Sequence, residues 1–368
     1  MKITSLTAYK VRVPTKGDYK MARGTHKALS TLIVKLETDS GHVGYGDSHQ
    51  GVAGYTPETV ETMHAVVSHT YAPALKGQEL TSVEGLHALL SSERMGNQFA
   101  RSAVEMAAFD ALARSYDLSI AQLLGGPVRR SLKLSASIGI DTPEKVAETA
   151  RGYVAGGYGT VKVKVGTADV QQDIARVRAV RQAVGDGVRI RVDANAGYSI
   201  SDALTFMRGI GELGLEHVEQ PVAGQDIDGM VRLRRLGAAP IMADESVVTP
   251  SDAYRFIAAG AVDAVKIKIT KVGGYINARK IIDICEAAGT QLIIGQGMCS
   301  SLEAAAEAQI ACAYNHVCDV AEMVGPTKLA DDLSRTPMDL SAGTLDLPPG
   351  KGIGLDIDEA KLREYTIA

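Results

Sequence analysis

The sequence predicts an α/β fold: a (β/α)8-type, TIM-like barrel with an N-terminal α+β capping domain. From Leu132 onward, short apolar strands alternate with amphipathic helical stretches, the pattern of a parallel sheet built from βα units. A charged residue recurs at the C-terminal end of five successive strands: Lys164, Asp193, Glu219, Asp244 and Lys268, spaced 29, 26, 25 and 24 residues apart. Each step is about one βα repeat, and in a closed barrel such strand ends converge on one mouth. The first 125 residues instead place strands before helices, which makes a separate α+β module.

The chain opens on MKITSLTAYKVRVP, which alternates as a strand does. TLIVKLETDSGHVGYGDS (31–48) reads as two alternating strands around the turn Asp39-Ser40-Gly41. Gly41, Gly44 and Gly46 imitate a dinucleotide fingerprint, but they lie in a hairpin and not between a strand and a helix. Helical periodicity follows in ETVETMHAVVSHT, SVEGLHALLSS and ARSAVEMAAFDALARSYDL. The barrel strands are then KLSASIG, TVKVKVG, VRIRVDAN, LEHVEQP, PIMADES, VDAVKIKI, QLIIGQG and HVCDVAE. Helical stretches such as DVQQDIARVRAVRQAVG and NARKIIDICEAAG separate them. An open doubly-wound sheet is the competing architecture, and it lacks the Gly-rich phosphate turn that should follow its first strand. The expected domains are therefore 1–125 as cap, 126–325 as barrel, and 326–368 as a segment returning over the cap.

A barrel occupies roughly 250 residues, so a chain of 368 leaves room for one smaller module. The formal net charge of −4, the absence of Trp and the four Phe offer neither an electrostatic footprint nor a stacking surface for nucleic acid. Cys285, Cys299, Cys312 and Cys318 show no CxxC spacing, which argues against a disulfide framework or a zinc site and for reduced thiols. No apolar signal-peptide core opens the sequence and no run approaches the ~18 apolar residues of a membrane span, so a soluble, cytoplasmic protein without a membrane partner is expected.

Asp193, Glu219 and Asp244 end VRIRVD, LEHVE and IMAD. Three carboxylates at one mouth repel unless something positive sits among them. Three oxygen donors without His or Cys suit a hard cation: Mg²⁺, with Mn²⁺ as a possible substitute. The competing reading pairs each acid with a neighbouring base such as Arg191. Lys162 and Lys164, two apart on TVKVKVG, point to one face, as do Lys266 and Lys268 on VKIKI. Four strands apart, the two clusters offer a base to either face of a bound substrate. Lys162 beside Lys164 is expected to disfavour the ammonium and lower the pKa toward that of a usable base. Metal, base and opposed acid together specify proton abstraction alpha to a carboxylate through an enediolate.

The motifs KVKVG, VDANAGY, VEQPV, ADES and KITKVGG, in this order, resemble the enolase superfamily and its muconate-lactonizing (mandelate racemase/muconate lactonizing) subgroup. GDSHQGVAGYTPETVE and NQFARSAVEMAAFDA resemble that subgroup's capping domain, and MADES and AEMVGP are similar to muconate cycloisomerases. The resemblance implies metal ligands Asp193, Glu219 and Asp244, acid/bases Lys164 and Lys268, and Lys162 tuning its neighbour and meeting the substrate carboxylate. It makes Asn195 and Glu245 hydrogen-bonding supports around the ligands. It also implies a cap that closes over the mouth and sets specificity. The expected partners are a small-molecule carboxylate substrate and further copies of the chain in a homo-oligomer.

Three positions depart from the pattern. Cys299, in QGMCSS, stands where cycloisomerases carry a seventh-strand Glu in a motif like TMLEGS. The Asp-x-Asp with which dipeptide epimerases bind an amine is replaced by CDVAEM. Lys266 adds a positive charge, either to recruit a further anionic group or to pair with a barrel acid. The expected function is a Mg²⁺-dependent, muconate cycloisomerase-like isomerase. The alternative is a racemase, epimerase or dehydratase of an amino-acid-derived or hydroxy carboxylate. A non-catalytic binding protein is argued against by the complete set of acids and lysines. His26 and His49 fall in expected capping loops within reach of substrate, and Gly273-Gly274 can bring backbone N–H groups to a carboxylate.

Overall fold

The computed structural model describes residues 1–21, 24–50, 56–295 and 298–368. Three antiparallel strands open the chain: β1 (Ile3–Met21), β2 (Gly24–Thr38) and β3 (Val43–His49), in that order in one sheet. Asp39 to Gly41 forms the β2–β3 turn, with Gly41 at φ 80°, a region that glycine enters without strain. Helix Gln98–Ser115 lies across this sheet. It is buried nearly all round because it packs on the cap sheet on one side and on the barrel on the other.

Gly44 and Gly46 owe their identity to this helix and not to a nucleotide. A Cβ on Gly46 would sit 1.9 Å from the carbonyl oxygen of Ala103, and one on Gly44 would sit 2.0 Å from that of Ala107. The clashing atoms are backbone, so the helix itself must move. Gly46→Ala is expected to destabilise the protein by about 1–3 kcal/mol, as overpacking does. A urea midpoint unchanged from the parent would count against this packing account.

Eight parallel strands follow: β4 (Ser131–Ile138), β5 (Thr160–Lys164), β6 (Arg189–Asp193), β7 (His217–Glu219), β8 (Ile241–Ala243), β9 (Ala264–Ile267), β10 (Gln291–Ile294) and β11 (Val320–Ala321). Each pairs with the next in sequence from β4 to β10, and β11 returns to β4. Between β10 and β11 the ring is held by a bridge from Leu292 to Val317 and by the N–H of Glu322 donating to Ile294 O, so the barrel is nearly closed. Helices between the strands carry Ser, Thr or Asp at most N-caps. Thr142, Asp169, Ser199, Asp226 and Thr249 each accept a backbone N–H of the first turn.

The segment after β11 visits both units. Its strand β12 (Thr344–Asp346) pairs antiparallel with β4, and Glu359 at its final helix reaches Lys35 at 2.8 Å in the cap. No helix among the described residues is long and apolar enough to cross a membrane.

Candidate active site

Register explains how the charged residues meet. Lys164, Asp193 and Glu219 are lateral neighbours on β5, β6 and β7, and one layer deeper Lys162, Arg191 and His217 are neighbours on the same strands. Residues two apart share a face, so both layers project into the barrel while the intervening valines point at the helices. Barrel interiors are ordinarily filled with branched apolar side chains. Here, at the mouth end, two layers are ionic.

Lys164 Nζ donates to Asp193 Oδ2 at 2.6 Å and to Asn195 Oδ1 at 2.7 Å. Across the mouth, Lys268 Nζ reaches Asp244 Oδ2 at 2.6 Å, and Lys271 holds the other oxygen of that carboxylate at 2.7 Å. Lys162 reaches Glu219 at 3.0 Å and Asp193 at 3.2 Å, and it also bonds Glu322. Lys266 repeats the arrangement from the other side, with Glu219 at 3.2 Å and the same Glu322 oxygen. The extra lysine at 266 therefore pairs with barrel acids, which decides between the two readings the sequence left open. Arg191 is fully buried on Glu216 and Glu322 and pairs with none of the three mouth acids.

The charge of Lys162, the ammonium expected to tune Lys164, is itself set by carboxylates. Burial opposes its charge, but Glu219, Glu322 and Asp193 outweigh burial and hold Lys162 well above its ordinary range. Lys268 is likewise raised, burial being overcome by Asp244, Glu245 and Glu219. The neighbouring ammonium is a weaker influence than the carboxylates these lysines touch. Glu219 shows the complement: burial and then Asp193 push it up to about 7. Glu245, buried and facing Asp244 and Asp193, is pushed up to about 8.

Support residues lie in strained backbone. Asn195, Ala196 and Gln220, just past β6 and β7, have φ of 46°, 56° and 36°. A non-glycine residue held there costs on the order of 1–3 kcal/mol and persists only where its surroundings fix it. Asn195 is fixed by its N–H to Asp193 Oδ1 at 2.9 Å and by its amide on Glu245 at 3.4 Å. Gln220 accepts the N–H groups of Asp244 and Ser246 at 3.0 and 3.1 Å, which ties the end of β7 to that of β8.

Other sequence expectations resolve differently. Cys299 is fully buried, its thiol pushed well up by burial, and its backbone and sulfur press on Gly325 closely enough to forbid a Cβ there. The N–H groups after Gly273-Gly274 do not face a ligand: Ile276 N donates to Glu105 Oε1 at 2.8 Å, so a cap carboxylate closes that helix. His49 ends β3 and is not in a loop, and His26 belongs to β2, its side chain lying outside the described residues.

Sequence reading missed Glu322, Lys271 and Gln220. Glu322 was findable, since it ends HVCDVAE as the other charges end their strands. The series breaks at the seventh strand, where no charge stands, and the eighth was passed over.

The donor chemistry fits a hard divalent cation. Asp193, Glu219 and Asp244 give buried oxygens only; burial and then the neighbouring acids push the carboxyls of Glu219 and Glu245 up, while the lysines hold Asp193 and Asp244 below the ordinary carboxylate range. Among the described residues the one grouping whose ligand atoms all lie within 4.8 Å of one another is a deeper one, His217, Glu219 and Glu322. There Lys162, Lys266 and Arg191 already hold the carboxylates, and burial and the Arg191 charge push His217 far down. Three fixed cations make that deeper spot a poor one for a fourth.

A nearly closed barrel with acids and opposed lysines at its mouth, under an α+β cap, defines a metal-dependent isomerase of the enolase superfamily. The mandelate racemase/muconate lactonizing enzyme N-terminal domain matches residues 3–125, and the enolase C-terminal domain-like model matches 145–361. The chain belongs to this family. It is 34% identical to the N-succinyl-L-Arg/Lys racemase of Bacillus cereus over 100% of this chain and 98% of that one. It superposes on 2-chloromuconate cycloisomerase from Rhodococcus opacus with a TM-score of 0.96 at 30% identity, covering both chains completely. A dipeptide epimerase from Cytophaga hutchinsonii, solved with Mg and D-Ala-L-Val, matches with a TM-score of 0.93 at 29% identity over 99% of this chain and 98% of that one.

Proposed function

We propose that the enzyme moves the α-proton of a carboxylate substrate between Lys164 and Lys268, racemising or epimerising an amino-acid derivative whose nitrogen is acylated. The observation that carries the reading is the pair itself. Lys164 ends β5 and Lys268 directly follows β9, four strands apart in a ring of eight, each held on a different acid. A base on each face of one carbon suits 1,1-proton transfer. Two features shape the substrate class. The acid that follows β11, Glu322, is already held by Lys162, Lys266 and Arg191, which does not favour a free substrate ammonium there. Cys299 is buried packing where a cycloisomerase would want a carboxylate.

Asp193, Glu219 and Asp244 would hold Mg²⁺, which when bound supplies positive charge beside the substrate carboxylate as the α-proton leaves. Lys162 donates toward the same carboxylate region, and Asn195 and Glu245 keep Asp193 and Lys164 in place. The experiment is a panel of N-acylated and free amino acids, dipeptides and muconates, scored by NMR for exchange of the α-proton with D₂O. Exchange confined to muconates would replace this reading with the second, cycloisomerisation, which MADES and AEMVGP favour.

The metal assignment is tested apart from turnover. Mg²⁺ is expected to raise the melting temperature of the parent, since a ligand that binds only the native state stabilises it by linkage. The rise should vanish in Asp193→Asn and Glu219→Gln. Equal Mg²⁺ affinity in those variants, measured by calorimetry, would mean the ion sits elsewhere.

A further inference from the structure

Lys266 carries a buried charge that the proton transfer does not use. It lies on β9 two residues after Ala264 and two before Lys268, so the three share a face. Toward the start of the strand that face is apolar, because Ala264 packs with Met242 and Ile293. An apolar side chain at 266 would extend this cluster, and replacing a buried ion by a hydrophobic group is often neutral for stability. The ammonium turns instead to two acids, Glu219 and Glu322. Glu322 already has Lys162 and Arg191 as partners and does not need a third cation to be balanced. The contact that Lys266 adds is therefore the one to Glu219.

Glu219 is the middle one of the three mouth acids, and it is clasped on both oxygens. Lys162 donates to Oε2 at 3.0 Å and Lys266 to Oε1 at 3.2 Å, and both lysines close on one oxygen of Glu322. This ring of two acids and two lysines fixes the plane of the Glu219 carboxylate. Asp193 and Asp244 each touch two lysines as well. Burial pushes those two acids up, but the lysines that touch them, with Lys266 behind, hold both below the ordinary carboxylate range. A divalent cation that binds Glu219 has to share each of its oxygens with an ammonium group.

We infer that Lys266 is a positioning residue for the metal: acting through Glu219, it fixes that carboxylate together with Lys162 and limits the site to a weak grip on Mg²⁺, so that occupancy follows the free Mg²⁺ concentration. The inference rests on the reading of Asp193, Glu219 and Asp244 as the ligands of Mg²⁺. An ammonium group in hydrogen-bond contact with a ligand oxygen repels the cation at close range, where little water screens it. It also competes with the cation for the lone pairs of that oxygen. Both effects act in the same direction, and Lys162 alone still orients Glu219 when Lys266 is gone. The repulsion leaves positive charge at the mouth that the acids do not cancel, and a substrate carboxylate can meet it.

The test is calorimetric titration of Mg²⁺ into the substrate-free enzyme. Lys266→Met should bind Mg²⁺ about 10- to 100-fold more tightly than the parent, the effect of removing one close like charge. Lys266→Gln, which removes the charge and keeps a polar group beside Glu322, should tighten it likewise. At one fixed Mg²⁺ concentration, both variants should gain more in melting temperature than the parent does. A lysine that served only to build the barrel would weaken the site when removed and could not strengthen it. Lys145→Met, which takes a charge from an exposed position on helix Pro143–Ala155, should leave the affinity at the parent value. An equal gain in Lys145→Met would reduce the effect to net charge and overturn the inference. Parent or weaker affinity in both Lys266 variants, with Mg²⁺ lost in Glu219→Gln, also overturns it and leaves the metal reading standing. Parent affinity in Glu219→Gln would place the ion elsewhere, and the metal reading and the inference would fall together.

Discussion

Replacing either candidate base should abolish racemisation while leaving half of the chemistry visible. With Lys164→Ala, the enantiomer whose α-proton faces Lys268 should still exchange that proton with D₂O. Lys268→Ala should exchange only the other enantiomer. Loss of a positioned acid or base typically costs about 10²–10⁴-fold, well beyond the scatter of an NMR time course. The asymmetry is diagnostic because the two lysines are tied to different partners: Lys164 to the carboxylate of Asp193 and the amide oxygen of Asn195, Lys268 to the carboxylate of Asp244. Truncating one should leave the hydrogen bonds of the other intact. In a cycloisomerase, only one face delivers the proton, and one of the two variants should exchange almost as the parent does. Full turnover and unchanged exchange in both variants would show these lysines to be structural.

The fold was legible because the barrel writes itself twice into the sequence, once as apolar runs and once as charges at their ends. All eight strand candidates coincide with β4 to β11, since period-two patterns bounded by turns leave little freedom. The mouth was legible for the same reason: residues that terminate successive parallel strands must become neighbours, and Lys164, Asp193 and Glu219 are in register. Pairing inside the barrel was not legible. Nothing local to VKIKI says that Lys266 will meet Glu322, which reaches it only through closure of the ring. The surroundings of Lys162 were not legible either, because the sequence places it beside Lys164 but hides the three carboxylates that surround it in space. The dyad of His49 and Glu303 was equally hidden, since its halves come from cap and barrel and depend on how the two units dock.

Glu322 should prove among the most destabilising positions to alter, although it does not end the strand of any proposed catalytic residue. Its carboxylate is shared by Lys162, Lys266 and Arg191, all essentially out of solvent. Burial pushes its pKa up, but those three cations prevail and hold it well below the ordinary carboxylate range. An acid depressed in the folded state contributes stability that is complete above its unfolded pKa and is lost only as the pH falls through the folded value. Neutral pH therefore carries the whole contribution. Glu322→Gln removes the charge and leaves three buried cations short of an anion, at a cost of about 3–5 kcal/mol, the range for breaking a buried pair from one side. The variant should also show a flatter loss of stability on the acid side, because the group that titrated there is gone. Removing a cation together with the acid separates charge balance from shape: Glu322→Gln with Lys266→Met should recover much of the loss, giving a coupling of about 0.5–3 kcal/mol in a double-mutant cycle. Urea unfolding of the four proteins at neutral pH measures it. A single Glu322→Gln variant within about 0.5 kcal/mol of the parent, the usual scatter of surface substitutions, would mean that water or the remaining acids already balance these lysines, and that the ionic layer beneath the mouth does not act as a unit.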